Sequence, residues 1–84
     1  MNRPPRLRPG CRLGPPGILL APERVVLLKG AAERILQLCD GQNTINEMVK
    51  ELSIKPSESI KIEKEILAFL EKLQMAGLIE EAPL

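Results

Sequence analysis

Ile35-Leu36-Gln37-Leu38-Cys39-Asp40-Gly41-Gln42-Asn43-Thr44-Ile45-Asn46-Glu47 carries the end of one amphipathic helix, a turn, and the start of a second helix with its own cap. Upstream, Ala32, Ile35, Leu36 and Cys39 fall at i, i+3, i+4 and i+7, so they share one helical face, while Glu33, Arg34 and Gln37 lie on the other. Asp40-Gly41 stops that helix, because glycine enters the left-handed conformation that closes a helix without a steric penalty. Thr44 followed by Glu47 has the spacing of a capping box, and Ile45, Met48, Val49 and Leu52 repeat the apolar spacing behind it. The stretch reads as a helix-turn-helix, and the second helix ends near Ser53-Ile54, ahead of Lys55-Pro56.

Working outward, Ser57 is the expected N-cap of a third and longest helix that runs to Met75 or Ala76. Gly77 suits the position just past its end, with Leu78 placed to fold back on Leu73. At about 100° per residue, Ile62, Ile66, Phe69 and Leu73 form the core face with Leu70 beside it. Ile60 and Leu67 lie off that face, together with Lys64 and Glu71, so the apolar arc is wider than core packing needs. Three occupants suit the excess: the protein's own small sheet, a second copy in a homodimer, or a partner.

Toward the N-terminus the chain changes character. Residues 1–22 hold six of the eight prolines and three of the six glycines, which excludes regular helix. Residues 1–10 are expected to be a flexible Pro/Arg-rich arm ahead of one domain at 11–84. Cys11-Arg12-Leu13 is a short edge strand, Gly14-Pro15-Pro16-Gly17 a turn, Ile18-Leu19-Leu20 a strand, and Ala21-Pro22-Glu23-Arg24 a second turn. Val25-Val26-Leu27-Leu28, apolar and rich in branched side chains, is the best strand and ends at Lys29-Gly30. The expected fold is therefore α+β: a small winged helix-turn-helix-like domain with an N-terminal antiparallel sheet of two or three strands, followed by three helices.

The chemistry-bearing residues are few. The chain has no histidine and two cysteines, too few soft ligands for structural zinc, and no glycine-rich phosphate loop. No cofactor, metal site or catalytic group is expected; carboxylates and lysines alternating along the third helix read as a solvated face. Cys39 reads as a small buried residue. The N-terminus offers no apolar signal segment and no apolar run is long enough to span a bilayer, so the expected setting is the cytoplasm, with both thiols reduced.

Charge argues against the usual job of a helix-turn-helix. Arg3, Arg6, Arg8 and Arg12 stand in residues 1–22 without an acid, whereas residues 23–84 carry eight Lys or Arg against eleven Asp or Glu. A duplex reader presents a basic face to phosphates, and with one aromatic residue, Phe69, base stacking has no platform. Asn46 alone is a weak base reader, so a winged-helix DNA-binding regulator stands as the competing reading and no nucleic acid is expected as a partner. An apolar strand edge beside an apolar helix face suits peptide capture by strand addition. A proline in place of Val26 would weaken such capture if that amide faces the peptide.

The order Leu20-Ala21-Pro22-Glu23, Leu27-Leu28, Ala31-Ala32-Glu33-Arg34-Ile35-Leu36-Gln37-Leu38-Cys39-Asp40-Gly41, then Thr44-Ile45 and the closing Ala76-Gly77-Leu78-Ile79 resembles the PqqD family, pyrroloquinoline quinone biosynthesis protein D. Where relatives often carry an aromatic residue in the early strands, this chain has Ile18-Leu19-Leu20. The resemblance implies a peptide chaperone that performs no chemistry itself. It would bind a ribosomally made PqqA-like precursor peptide, in which a Glu and a Tyr become cross-linked, and present it to a PqqE-like radical SAM enzyme. It also implies that the precursor pairs along Arg24, Val25, Val26, Leu27, Leu28 and Lys29 and rests against Ile60, Lys64 and Leu67.

Overall fold

The computed structural model describes residues 3–83. Five strands and three helices follow one another as β1 (Pro5–Leu7), β2 (Arg12–Leu13), β3 (Ile18–Ala21), β4 (Arg24–Leu27), α1 (Ala32–Gln37), α2 (Ile45–Leu52), α3 (Ser59–Met75) and β5 (Ile79–Glu81). The fold is a small α+β domain with N-terminal antiparallel strands followed by helices, as the sequence leads one to expect.

β2, β3 and β4 form an antiparallel sheet in that order, which leaves β4 on an edge. The β3–β4 connection is a two-residue turn at Pro22-Glu23, since Ala21 pairs with Arg24; proline's fixed φ suits the first corner. Leu19 pairs with Val26 and is fully buried, so β3 presses the sheet onto the helices through that side chain. α1 is tied to the same sheet from its first turn, where Glu33 Oε2 accepts the Gly17 amide at 2.5 Å.

A second, two-stranded sheet joins β1 to β5, with Arg6 opposite Glu80 and Leu7 opposite Ile79. This corrects the expectation that residues 1–10 are a flexible arm: Pro5 is buried, and its carbonyl accepts the Gly41 amide at 2.9 Å. The reason is visible in the alternation Pro5-Arg6-Leu7-Arg8, which sends Pro5 and Leu7 inward and leaves the arginines to pair with the acids of β5. Positions 1 and 2 of that expected arm, and position 84 of the expected domain, lie outside the described residues.

The turn that decides the fold is built by its own side chains. Asp40 Oδ1 accepts the amides of Gln42 at 2.9 Å and Asn43 at 3.3 Å, Gly41 takes φ +81°, and the Asp40 backbone forms an isolated antiparallel β-bridge with Arg6 of β1. Thr44 and Glu47 complete the capping box: Thr44 Oγ1 accepts the Glu47 amide at 3.2 Å and Glu47 Oε1 accepts the Thr44 amide at 2.9 Å. That second bond, with the Thr44 hydroxyl, holds the Glu47 carboxyl below the usual carboxylate range. A lowered carboxyl pKa stabilises the fold at neutral pH, and the contribution fades as pH falls through the carboxylate range. Thr44→Ala is expected to cost about 1 kcal/mol in urea unfolding at pH 7, with a smaller deficit at low pH where Glu47 is protonated.

α3 begins later than the sequence suggests. Ser57 sits inside a 3₁₀ turn at Pro56–Glu58 rather than capping the helix, because Glu58 Oε1 accepts the Lys55 amide at 3.2 Å and closes the turn one step earlier. Its end is as expected: Gly77 takes φ +77°, the Leu78 amide donates to the Leu73 carbonyl at 2.9 Å, and the Gly77 amide to the Gln74 carbonyl at 3.0 Å. This arrangement aims the chain straight into β5. The core gathers Leu19, Leu36, Met48, Ile66, Leu70, Leu73, Leu78 and Ile79 in one cluster, with Ile62 and Phe69 packed at its margin.

Candidate functional site

Strand β4 supplies the first half of the site. The Leu28 amide donates to the Gly17 carbonyl at 2.8 Å. Antiparallel pairs alternate between bonded and non-bonded, so Arg24, Val26 and Leu28 direct their backbone groups at β3, and Val25 and Leu27 direct theirs at the free edge. The same two residues expose their side chains, Val25 at 59% and Leu27 at 71%, while Val26 and Leu28 pack against the core. An edge strand whose outward residues are both apolar and, among the described residues, unpaired is what folded proteins usually avoid. The condition attached to Val26 is not met, since its amide belongs to the internal ladder opposite Leu19. Lys29 has left the strand, its carbonyl accepting the Ala32 amide at 3.2 Å as the chain turns into α1.

α3 supplies the second half. Ile60, Lys64 and Leu67 fall at i, i+4 and i+7, one stripe on the side away from the core. Ile60 is 73% exposed and Leu67 39%, and Lys64 has no ion-pair partner among the described residues. The stripe continues through Glu71 and Gln74, which with Leu67 and Leu70 line a shallow groove of about 460 Å³. Gln74 was not singled out from the sequence, although it stands seven residues beyond Leu67 on the same face.

The two halves meet at one end. α3 packs chiefly on α2 and β5, and β4 is fastened to it by Arg24, whose Nη2 donates to the Ala76 carbonyl at 2.7 Å. A cation at a helix C-terminus also answers the partial negative charge of the unsatisfied carbonyls there. Arg24 thus has a structural role, anchoring the start of β4 to the end of the helix.

Cys39 is an inert thiol. Cys39 is buried and its thiol donates to the Ile35 carbonyl at 3.4 Å; burial first, and the Asp40 carboxylate second, push its pKa up from 9.0 to about 12. A thiol kept neutral in the fold favours folding fully at neutral pH. Stability from this source is lost as pH rises above 9.0, where the unfolded thiol ionises, toward about 12. Iodoacetamide at pH 8 is accordingly expected to label the partly buried Cys11 and to leave Cys39 intact until urea unfolds the chain, which mass spectrometry of the digested protein reads directly. Among the described residues, no group of three or more His, Cys, Asp or Glu side chains is placed to hold a metal ion. No helix is long and apolar enough to cross a membrane.

Known proteins resemble this one in a consistent way. The profile of the family described as "Coenzyme PQQ synthesis protein D (PqqD)" matches residues 17–79, from the start of the β3–β4 hairpin to the first residue of β5. The chain is 35% identical over 66 residues to a "PqqA binding protein" of Rhodopseudomonas palustris (strain BisB5), covering 77% of this chain and 65% of that one. It is 39% identical over 57 residues to a protein of the same description from Gluconobacter oxydans (strain 621H), covering 67% of this chain and 59% of that one. A third, from Bradyrhizobium diazoefficiens, is 34% identical over 68 residues, covering 77% and 64%. The chain thus spans somewhat less than two thirds of the length of these relatives. No solved structure matches it. Since the matched residues include β3, β4, the Asp40-Gly41 turn, the capping box and the whole of α3, this chain belongs to the PqqD family.

Proposed function

We propose that this chain binds the precursor peptide PqqA during pyrroloquinoline quinone synthesis by accepting it as an added strand on β4, and that it hands the peptide to a PqqE-like radical SAM enzyme without doing chemistry itself. The observation that carries the reading is the β4 edge: Val25 and Leu27 present free backbone groups and exposed apolar side chains together, in a family whose relatives are described as PqqA binding proteins. On this reading the peptide lies along Arg24, Val25, Val26, Leu27 and Leu28 and ends beside Lys29, where the chain turns away, with Val25 and Leu27 making the backbone bonds, and its side chains rest on Ile60, Lys64 and Leu67. Two free cysteines without a disulfide agree with work in the cytoplasm. The DNA-binding alternative draws no support, because residues 23–84 have more acids than bases.

A few net hydrogen bonds of about 1 kcal/mol each, with pocket burial and against association entropy, set the expected Kd on the order of micromolar or tighter. Titration calorimetry with synthetic PqqA from the same genome, beside amide shift mapping, tests this. Heat of binding with shifts along residues 24–29 supports it; no heat and no shifts there sink it. The stripe on α3 is also the surface a homodimer would bury, so sedimentation with and without peptide separates the two occupants.

A further inference from the structure

Where β4 is fastened to α3, a groove of about 510 Å³ opens between the Pro22-Glu23 turn and the end of the helix, lined among others by Arg8, Cys11, Glu23, Arg24, Gly77 and Leu78. Two arginines line it. Arg24 lays Nη2 on the Ala76 carbonyl at 2.7 Å, and Arg8 Nη1 reaches over the next residue, 3.9 Å from where a Cβ of Gly77 would stand. Gly77 is thus doubly useful, taking the positive φ that ends α3 and leaving room for the Arg8 head.

The charge on these arginines is not consumed inside the fold. Glu80, the acid nearest Arg8, is held by Arg6 through two bonds to one oxygen, at 2.8 and 2.6 Å. Arg8 meets only its other oxygen, through Nε at 3.6 Å, which leaves the outer nitrogens of Arg8 without a hydrogen-bond partner among the described residues. Arg24 uses one N–H on Ala76 and has four more. The carbonyl end of a helix repels an anion, but Arg24 covers that end. Glu23 is the one acid on the rim, exposed and with no hydrogen bond or ion pair among the described residues.

We propose that this groove receives a side-chain carboxylate of the peptide seated on β4, held between Arg8 and Arg24. The proposal rests on the peptide reading above. It follows from position and charge: the groove opens at the first residue of the docking edge, so a strand laid along Val25 and Leu27 runs into it, and planar guanidinium forks match carboxylate geometry. The groove fixes the register of the peptide, because an acidic residue at one place in its sequence must coincide with the Arg24 end of β4. Arg8 lies outside the residues matched by the family profile, so this half of the clamp is a property of the chain's own N-terminal strand.

The test is a calorimetric titration of wild-type protein with synthetic PqqA and with a series in which each Glu or Asp is changed singly to Gln or Asn, repeated for Arg8→Gln, Arg24→Gln and Glu23→Gln. One acidic position is expected to matter, its replacement weakening binding about five- to tenfold. Arg8→Gln and Arg24→Gln should weaken wild-type peptide similarly and lose sensitivity to that replacement, while Glu23→Gln tightens binding about twofold. Added salt should weaken the wild-type complex more than the Arg8→Gln complex. If the wild-type protein binds PqqA yet every peptide of the series binds equally and Glu23→Gln changes nothing, the carboxylate clamp is overturned and the peptide reading survives. If the wild-type protein does not bind PqqA at all, the peptide reading fails and takes the clamp with it. The peptide series needs no protein variant, so it decides the matter even where an arginine replacement disturbs folding.

Discussion

Leu27→Pro is expected to leave the domain folded and to weaken PqqA binding by about tenfold or more, while Val26→Pro is expected to damage the fold itself. The two residues are neighbours on one strand, and the difference is the phase of the ladder. Leu27 directs its amide at the open edge, so a proline there removes a donor that only an added strand would use, and edge positions tolerate proline. It also removes an exposed apolar side chain from the path of the peptide. Val26 donates its amide inward to β3 opposite the fully buried Leu19, and losing it leaves a buried acceptor unpaired, at a cost of about 1–3 kcal/mol. Leu27→Ala, which keeps the amide, should fall between wild type and Leu27→Pro in affinity. Thermal melts by circular dichroism read the fold and calorimetry reads the binding. A folded Leu27→Pro protein with undiminished affinity would move the peptide to another edge.

Leu19→Ala is the substitution expected to cost the most stability, about 2–5 kcal/mol. Leu19 is the one fully buried side chain of the β2–β3–β4 sheet, set in the cluster of Leu36, Met48, Ile66 and Leu70, with Leu13, Ala21, Val26 and Leu28 packing only partly buried around it. A domain of 84 residues buries only about 60% of the surface its unfolded chain exposes, so its total stability belongs near the low end of the usual range of about 5–15 kcal/mol. A loss of this size leaves a visible unfolded population at 37 °C. Urea titration gives the number, and the loss should come with an unchanged m-value, since the surface exposed on unfolding hardly changes. A loss below about 1 kcal/mol would mean that the sheet is held to the helices some other way.

Much of this fold is legible locally. The Thr44–Glu47 cap, the Gly77 exit and the apolar spacing of α2 and α3 each depend on residues within one or two turns of one another, and each stands as read. The first helix stops earlier than expected: α1 ends at Gln37, where the Leu38 and Cys39 amides turn back to the Ile35 and Leu36 carbonyls, so Asp40-Gly41 shapes the following turn rather than closing the helix. The strand read at Val25-Val26-Leu27-Leu28 forms one residue earlier, at Arg24–Leu27, because Arg24 pairs with Ala21 across the two-residue turn. The misreading fell on the N-terminal ten residues, where proline density suggested freedom. Pro5-Arg6-Leu7-Arg8 is ordered by Ile79-Glu80-Glu81 at the other end of the chain, and no local preference announces a partner more than seventy residues away. The complementary alternation of arginines in one segment and acids in the other was the available signal.

The candidate site divides the same way. That Val25 and Leu27 share one face, and that Ile60, Lys64 and Leu67 share one stripe, follows from periods of 2 and 3.6 in the chain itself, whereas the exposure of the Val25 and Leu27 face came from the packing of the sheet. Which amides of β4 face outward was undetermined until Leu28 was seen bonded to Gly17, because shifting a strand register by one residue exchanges the two sets. The joining of Arg24 to the end of α3, with Arg8 beside it, needed the tertiary structure alone: it brings together residues 8, 24 and 76 through packing of strands and helix, and side-chain chemistry by itself has no term for that distance. The sequence by itself determined the elements and their faces, since those are short-range matters of backbone sterics, capping and apolar spacing. The tertiary structure decided which edge is open and which charges meet, since both depend on contacts between segments that are remote along the chain.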